Sequence, residues 1–398
     1  MVQSGLDVLL EEGIGRLRGR RVGVLCHPAS VSGRLIHVVD ALAAAKVNLT
    51  RLFGPEHGIR GEAQDMVGVD SQRDSRTGIP VTSLYGESES SLSPTAEGLA
   101  DVDVLVVDLQ DVGSRYYTFI WTMALSLQSA ARAGVSVLVL DRPNPIGGSQ
   151  MEGGEVNPLF ESFVGLGSIP VRHGLTIGEV AHLVRHGMPW GGQRFAKPLD
   201  CDLQVVAMRG WNRNAFFDTT GLPWVLPSPN MPSVDTALVY PGSCLLEGTN
   251  ISEGRGTTRP FELLGAPFVD GFQLAERLAE DRLPGVVFRA LSFRPTFHKF
   301  SGQVCGGIQI HVVDRTAFRP YLTGIAVLRA LYSIAGEAFR WRREKYEFVS
   351  DRPAIDLLTG GDAVRKGIEA GASLDELRAT WQDDEDAFAE RRRVSIVY

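Results

Sequence analysis

Val102-Asp-Val-Leu-Val-Val-Asp-Leu109 is an apolar run broken by two aspartates, and it leads into Gln110-Asp111-Val112-Gly113-Ser114-Arg115. A short hydrophobic run bounded by polar residues reads as a strand buried on both faces, the kind a parallel sheet uses. Downstream, Thr118 to Ala133 carries apolar residues at helical spacing and stops at Gly134, a C-cap residue. Val135 to Leu140 is a second buried-strand run, followed by Asp141-Arg142-Pro143-Asn144-Pro145. Strand, helix, strand in this order is a βαβ unit with a right-handed crossover.

The same alternation continues in both directions. Residues 5–18 have the apolar spacing of an amphipathic helix, Arg21 to Cys26 reads as a strand, and Leu35 to Ala45 reads as a helix. Leu49 to Phe53 and Pro80 to Tyr85 are further strand runs. Thr176 to His186 is a helix opened by a capping box of Thr176 and Glu179, and Leu203 to Met208 is one more strand. The expectation is an α/β fold: a Rossmann-like, mostly parallel sheet. The dinucleotide fingerprint is missing, because the first strand is followed by Cys26-His-Pro-Ala-Ser-Val-Ser-Gly33 and no P-loop occurs. No nucleotide and no other cofactor is therefore expected.

At 398 residues the chain exceeds one ordinary core, so two domains are expected. Residues 223–260 are rich in Pro, Gly, Ser and Asn and read as the junction. This gives a Rossmann-like domain at 1–230 and a mixed α+β C-terminal domain at 231–398. In it, 272–279, 321–340 and 374–388 read as helices, and 286–291 and 305–313 as strands.

The net charge of −7 argues against a nucleic-acid partner, which needs a basic face. The four cysteines, Cys26, Cys201, Cys244 and Cys305, form no CxxC pair and read as reduced thiols. No apolar run approaches the roughly 18 residues of a membrane span. The first residues lack a basic region followed by an apolar core, so the expected location is cytoplasmic.

Polar residues recur at predicted strand ends. Gly54-Pro55-Glu56-His57 follows one strand, Asp108-Leu109-Gln110-Asp111 another and Asp141-Arg142 a third. In a parallel sheet these ends share one edge, where α/β proteins build their sites. A single acidic strand end is commonly a cap or turn residue, whereas three on one edge favour a crevice. Arg60, Arg115 and Arg142 lie in the same segments, and Asp65, Asp70, Arg73, Asp74 and Arg76 fill the long polar stretch 54–78, a candidate covering loop. Metal binding is disfavoured, since there is no HxH or HExxH spacing and arginines compete for the carboxylates. GxSxG is absent, which removes the usual serine nucleophile. Acid/base work by carboxylates remains, and glycoside hydrolysis needs it most directly. Aromatic residues near these segments, Tyr116, Tyr117 and several tryptophans, suit a sugar ligand, although core packing is their commoner use.

Several longer motifs carry a resemblance: FGPEHGIRG from Phe53, DLQDVGSRYYTFIWT from Asp108, LDRPNPIGG from Leu140, IPVRHGLTIGE from Ile169, PSPNMPS from Pro227 and YPGSCLLEGTNISEGRGTTRPFELLGAP from Tyr240. The chain resembles, from about residue 20 to Tyr398, the bacterial exo-acting β-N-acetylmuramidases of glycoside hydrolase family 171. The resemblance implies a Rossmann-like domain and a smaller C-terminal domain with the active site between them. It implies release of N-acetylmuramic acid from the non-reducing end of peptidoglycan fragments. Glu56 would be the catalytic acid, His57 a positioning residue, and Asp111 or Asp141 would orient the 2-acetamido group unless a second carboxylate activates water. Substrate contacts are expected from Arg60, Asp108, Gln110, Arg115, Tyr116, Arg142, Asn144, Asn230, Glu247, Asn250, Glu253 and Arg255. One of the arginines should hold the lactyl carboxylate. The competing readings are a muropeptide-binding protein without turnover and a glycosidase for another N-acetylhexosamine.

Overall fold

Val104–Asp108 is the fourth strand and is buried along its whole length at the centre of a six-stranded parallel sheet. The computed structural model describes residues 1–56, 58–59, 73–86, 88–190 and 194–398. The sheet contains β1 (Arg21–Cys26), β2 (Asn48–Gly54), β3 (Val81–Ser83), β4 (Val104–Asp108), β5 (Ser136–Leu140) and β6 (Leu203–Val206). Their order is β3-β2-β1-β4-β5-β6, with parallel pairing throughout. This is the doubly wound order, which reverses direction between β1 and β4 and puts the ends of β2, β4 and β5 on one edge.

Both faces of the sheet are covered, which is why its strands tolerate unbroken apolar runs. Leu6, Leu9, Val38 and Leu42 pack on one face against Val22, Val24 and Val106. Helices Phe119–Ala133 and Ile177–His186 cover the other. Gly134 ends the first of these with φ of 68°, the left-handed cap expected from its sequence. The capping box of Thr176 and Glu179 is formed at the start of the second.

The C-terminal half has a three-stranded antiparallel sheet, β7 (Leu263–Ala266), β8 (Val286–Phe293) and β9 (Cys305–Val312), in the order β7-β9-β8. Its core residues Leu245, Ile308, Ile325 and Phe388 belong to the same buried cluster as Phe119 and Val139 of the large sheet. All four cysteines are free and buried. Among the described residues no helix is long and apolar enough to cross a membrane.

Three elements differ from expectation. The segment 223–260, read as the junction, contains a helix that its composition did not announce, Val234–Ser243, with Pro241 inside it. Gly242 there is a packing residue: a Cβ on it would lie 2.0 Å from the Pro320 carbonyl oxygen, and Gly324 faces it across the contact. The helix expected at 374–388 is two helices, Leu374–Ala379 and Gln382–Arg391. They break at Trp381 (φ −132°), whose buried ring meets Tyr321 edge-on at 5.0 Å. The helix expected to run to 340 ends at Ala335, and a single 3-10 turn, Gly336–Ala338, follows it.

Candidate active site

Gly54 ends β2, and Glu56 follows it, buried, at the carboxyl edge of the sheet. Its Oε2 accepts a hydrogen bond from Thr118 Oγ1 at 3.1 Å. Thr118 immediately precedes helix Phe119–Ala133, so the end of β2 and the loop after β4 are joined at this carboxylate. Glu56 lines a cleft of about 490 Å³, its open mouth included, with Tyr116, Tyr117 and Asn230. Glu247, Arg255, Phe261, Tyr346 and Glu347 from the C-terminal half line it as well.

An edge-to-face series of rings builds one wall: Tyr117 and Phe119 are 4.8 Å apart between centroids, Tyr117 and Tyr240 5.9 Å, and Tyr240 and Phe261 4.8 Å. Burial pushes the Tyr117, Tyr240 and Tyr346 phenols well above their ordinary range, so these hydroxyls stay protonated. The side-chain nitrogen of Asn230 is buried and makes no hydrogen bond, which leaves a donor for a ligand.

Arg255 is the cation that the C-terminal half brings to the lining. Its Nη2 donates to Glu247 Oε1 at 2.8 Å, and its guanidinium lies 5.1 Å from the centre of the Phe261 ring. Tyr346 donates to the other oxygen of Glu247 at 2.7 Å. Behind this pair Glu253 is fully buried against Lys299 Nζ (2.9 Å), His298 Nδ1 (3.1 Å) and Arg255 Nε (3.4 Å). Burial pushes the Glu253 carboxyl up, but Lys299, His298 and Arg255 outweigh it and hold it well below the usual range. Lys299 also donates to the Leu246 and Ile251 carbonyls, both at 3.0 Å, and so fixes the Gly-rich loop that carries Arg255.

The other strand ends have different occupations. Asp108 is fully buried in a two-pronged pair with Arg142, Nε to Oδ1 at 2.5 Å and Nη2 to Oδ2 at 2.8 Å. Arg142 also donates to the Val31 carbonyl at 2.9 Å. Gln110 donates its backbone N–H to His27 Nε2 and its side-chain amide to the Asp111 and Pro143 carbonyls. These contacts engage the polar side chains at the β1/β4 switch point, where Rossmann domains seat a dinucleotide.

Asp141 accepts from the backbone N–H of Arg142 and Gly178, from Thr176 Oγ1 and from the hydroxyl of Tyr398. Burial raises its carboxyl to about 6. It clasps the C-terminal residue to the sheet and is not brought to the cleft lining. Asp111 accepts from Gly113 N–H at 2.6 Å and pairs with His173, which the sequence reading had not assigned a role. Leu175 N–H donates to His173 Nδ1, so the proton of the neutral ring sits on Nε2 and points at Asp111 Oδ2, 3.2 Å away. The second oxygen of Asp111 is buried with no hydrogen bond.

Arg115 is fully buried and donates to the carbonyls of Gly154, Ile169 and Leu358. Burial lowers its pKa, and it bridges the two halves of the chain outside the cleft. Asn144 closes a turn through Ile146 N–H and the Leu175 carbonyl. Asn250 is bound to the backbone at Ala338 and Arg340. Arg73 caps the Gly78 carbonyl, and Arg76 pairs with Asp40. His57, Arg60, Glu62, Asp65 and Asp70 lie outside the described residues.

Of the expected contact residues, the structure therefore gathers Glu56, Tyr116, Asn230, Glu247 and Arg255 in one cleft, with Glu253 behind them. It adds Tyr117, Thr118, Tyr240, Phe261, Tyr346 and Glu347. Phe261 and Glu347 have φ of 64° and 45°. A left-handed non-glycine residue costs on the order of 1–2 kcal/mol, and such strain concentrates at functional sites. In the sequence, Tyr346 and Glu347 sit in the charged run Arg342-Arg-Glu-Lys-Tyr-Glu347, which reads as a solvated face and gave no signal.

A doubly wound sheet without a phosphate loop, carrying carboxylates and rings in a cleft at its carboxyl edge, has the features of an α/β glycosidase. The family model described as exo-β-N-acetylmuramidase NamZ, N-terminal, matches residues 22–235, and its C-terminal counterpart matches 238–398. The chain belongs to this exo-β-N-acetylmuramidase family. It is 45% identical over 398 residues to the peptidoglycan β-N-acetylmuramidase NamZ of Bacillus subtilis (strain 168), covering 100% of this chain and 91% of that one. Two crystal structures of DUF1343 family proteins from Bacteroides fragilis share the fold over 100% of this chain and 99% of each of theirs. Their TM-scores are 0.88 and 0.76, at 34% and 28% identity.

Proposed function

We propose that this cleft hydrolyses the β-1,4 linkage of a non-reducing terminal N-acetylmuramic acid in peptidoglycan fragments, with Glu56 as the general acid. The observation that carries the assignment is the placement of Glu56: a buried carboxylate at the end of β2, fixed by Thr118 and facing an aromatic wall and the Glu247–Arg255 pair across the cleft. In this reading the carboxyl of Glu56 delivers its proton to the glycosidic oxygen as the bond to the anomeric carbon breaks. The N-terminal domain, residues 1–230, supplies the acid. The C-terminal domain, 231–398, supplies Arg255 as the cation for the lactyl carboxylate. Asn230 offers its free amide N–H to the sugar's acetamido or hydroxyl oxygens. Asp111 acts from behind, with His173, on the loop that carries Tyr117 rather than on the substrate itself. The four free, buried thiols fit work in a reducing compartment, on fragments taken up from the wall.

The test is Glu56→Gln, assayed by release of N-acetylmuramic acid from N-acetylmuramyl-N-acetylglucosamine. The expected result is loss of release by about a thousandfold or more at an unchanged thermal midpoint, as for other essential acids. Wild-type turnover by the Gln variant would refute the assignment. Binding of the disaccharide by wild type without cleavage would refute the activity itself.

A further inference from the structure

We propose that the hairpin tip Tyr346–Val349 closes one end of the pocket and so sets its exo-action: Glu347 receives a free hydroxyl of the terminal sugar, and Phe348, packed behind the lining, holds it in place. The inference rests on the muramidase reading above and concerns which residues impose the chain-end requirement.

Tyr346 and Val349 exchange both backbone hydrogen bonds at 2.9 Å, so Glu347 and Phe348 are the two central residues of the tightest hairpin loop. Both have positive φ, 45° and 70°. That pattern is normally filled by Asn-Gly, for which it is nearly free of strain. Here two large side chains occupy it, and each has a destination. Glu347 is buried and lines the same cleft as Glu56. The ring of Phe348 meets Tyr85 at 6.3 Å and Phe163 at 6.4 Å, and these two rings lie 6.3 Å from each other.

Tyr85 follows β3, so this trio fastens the C-terminal hairpin to the N-terminal half. Tyr346 anchors the near side of the hairpin by its hydroxyl on Glu247. A glycan threading an endo-acting groove needs a clear path on both sides of the scissile bond. With the hairpin held by that clasp, Glu347 bounds the site on one side, where in this reading a terminal sugar offers a hydroxyl and an internal sugar would offer another ring. A buried carboxylate accepts such a hydroxyl and leaves no room for a glycosyl substituent.

The experiment replaces the tip by the dipeptide its geometry prefers, Glu347→Asn with Phe348→Gly, so that the hairpin is kept while both side chains go. Two substrates are compared: N-acetylmuramyl-N-acetylglucosamine, and the trisaccharide that carries an additional N-acetylglucosamine on O4 of the muramic residue. Wild type should cleave the first and leave the capped trisaccharide intact. The double variant should lose about a hundredfold in kcat/KM on the first, and its preference for the uncapped over the capped substrate should fall at least tenfold. Glu347→Gln alone separates the two roles. Its loss on the uncapped disaccharide should largely vanish on a 4-deoxy muramide, which lacks the hydroxyl. If wild type releases no muramic acid from the disaccharide, the functional reading fails and takes this one with it. If it does, and a folded double variant keeps the wild-type preference for the uncapped substrate, the hairpin's role alone is overturned.

Discussion

Replacing Arg142 by Met separates a structural arginine from a substrate-binding one. Arg142 is an obvious candidate for the lactyl carboxylate, lying two residues past β5 among polar neighbours. The structure instead spends its guanidinium on Asp108, a fully buried carboxylate, and on the Val31 carbonyl. Removing one partner of a buried ion pair costs about 3–5 kcal/mol, because the remaining charge is stranded out of water. With an unfolding entropy of about 2.1 cal/mol/K per residue, 398 residues give about 0.8 kcal/mol/K, so the midpoint should fall by about 4–6 °C. Adding Asp108→Leu removes the stranded charge, and the double variant should recover most of the loss. Calorimetry on the two single variants and the double variant measures this directly as a coupling energy. Steady-state kinetics on a chromogenic muramide should show a KM within about twofold of wild type. A Met variant with an unchanged midpoint and a KM raised about tenfold for muramides, but not for N-acetylglucosaminides, would refute the structural assignment.

Glu152 is fully buried, and burial raises its carboxyl to about 7. The folded pKa lies above the unfolded value, so the folded state favours the protonated form. The stability this confers is full below pH about 4 and is lost as pH rises through 7, an amount on the order of 3 kcal/mol. Glu152→Gln should therefore match wild type near pH 4 and gain midpoint temperature over it at pH 8; equal midpoints at pH 8 would contradict the argument. Gly242→Ala places a Cβ 2.0 Å from the Pro320 oxygen and must part the two helices, costing about 1–3 kcal/mol or more, whereas Gly361→Ala, which meets nothing within 4 Å, should leave the chemical-denaturation midpoint in place. Equal midpoints for the two alanine variants would show that the contact at Gly242 is not tight.

The large sheet was legible because burial on both faces leaves a mark within each strand: Val104 to Val107 and Ser136 to Leu140 are nearly pure apolar runs, and each is followed by its helix. The strand-end acids were legible as a set, but not individually. Glu56, Asp108 and Asp141 look alike in the sequence, each sitting where a hydrophobic run meets a loop. What separates them is a partner supplied by tertiary structure. Arg142, 34 residues on, neutralises Asp108, and Tyr398, 257 residues on, donates to Asp141. No local pattern carries that information, so three acids of equal standing in the sequence became one cleft acid, one ion pair and one clasp.

The Gly-rich segment, read as the junction between the domains, has a composition whose physical cause shows only in the fold. Residues 241–256 have few apolar positions at a regular period, and that composition ordinarily means a flexible connection. The glycines are there because backbone comes into contact with backbone: Gly242 against Pro320 and Gly324, Gly248 against Ile355, Gly254 against the Leu263 carbonyl. Close approach of this kind holds the loop rigid enough for Glu253 to lie fully buried beneath Arg255 and Lys299. A flexible linker could not keep a carboxylate there, since any excursion would expose three charges to rearrangement at once. The same tight backbone then holds Arg255 and Glu247 at the cleft with little freedom to reorient, which is what the proposed contact of Arg255 with a lactyl carboxylate requires.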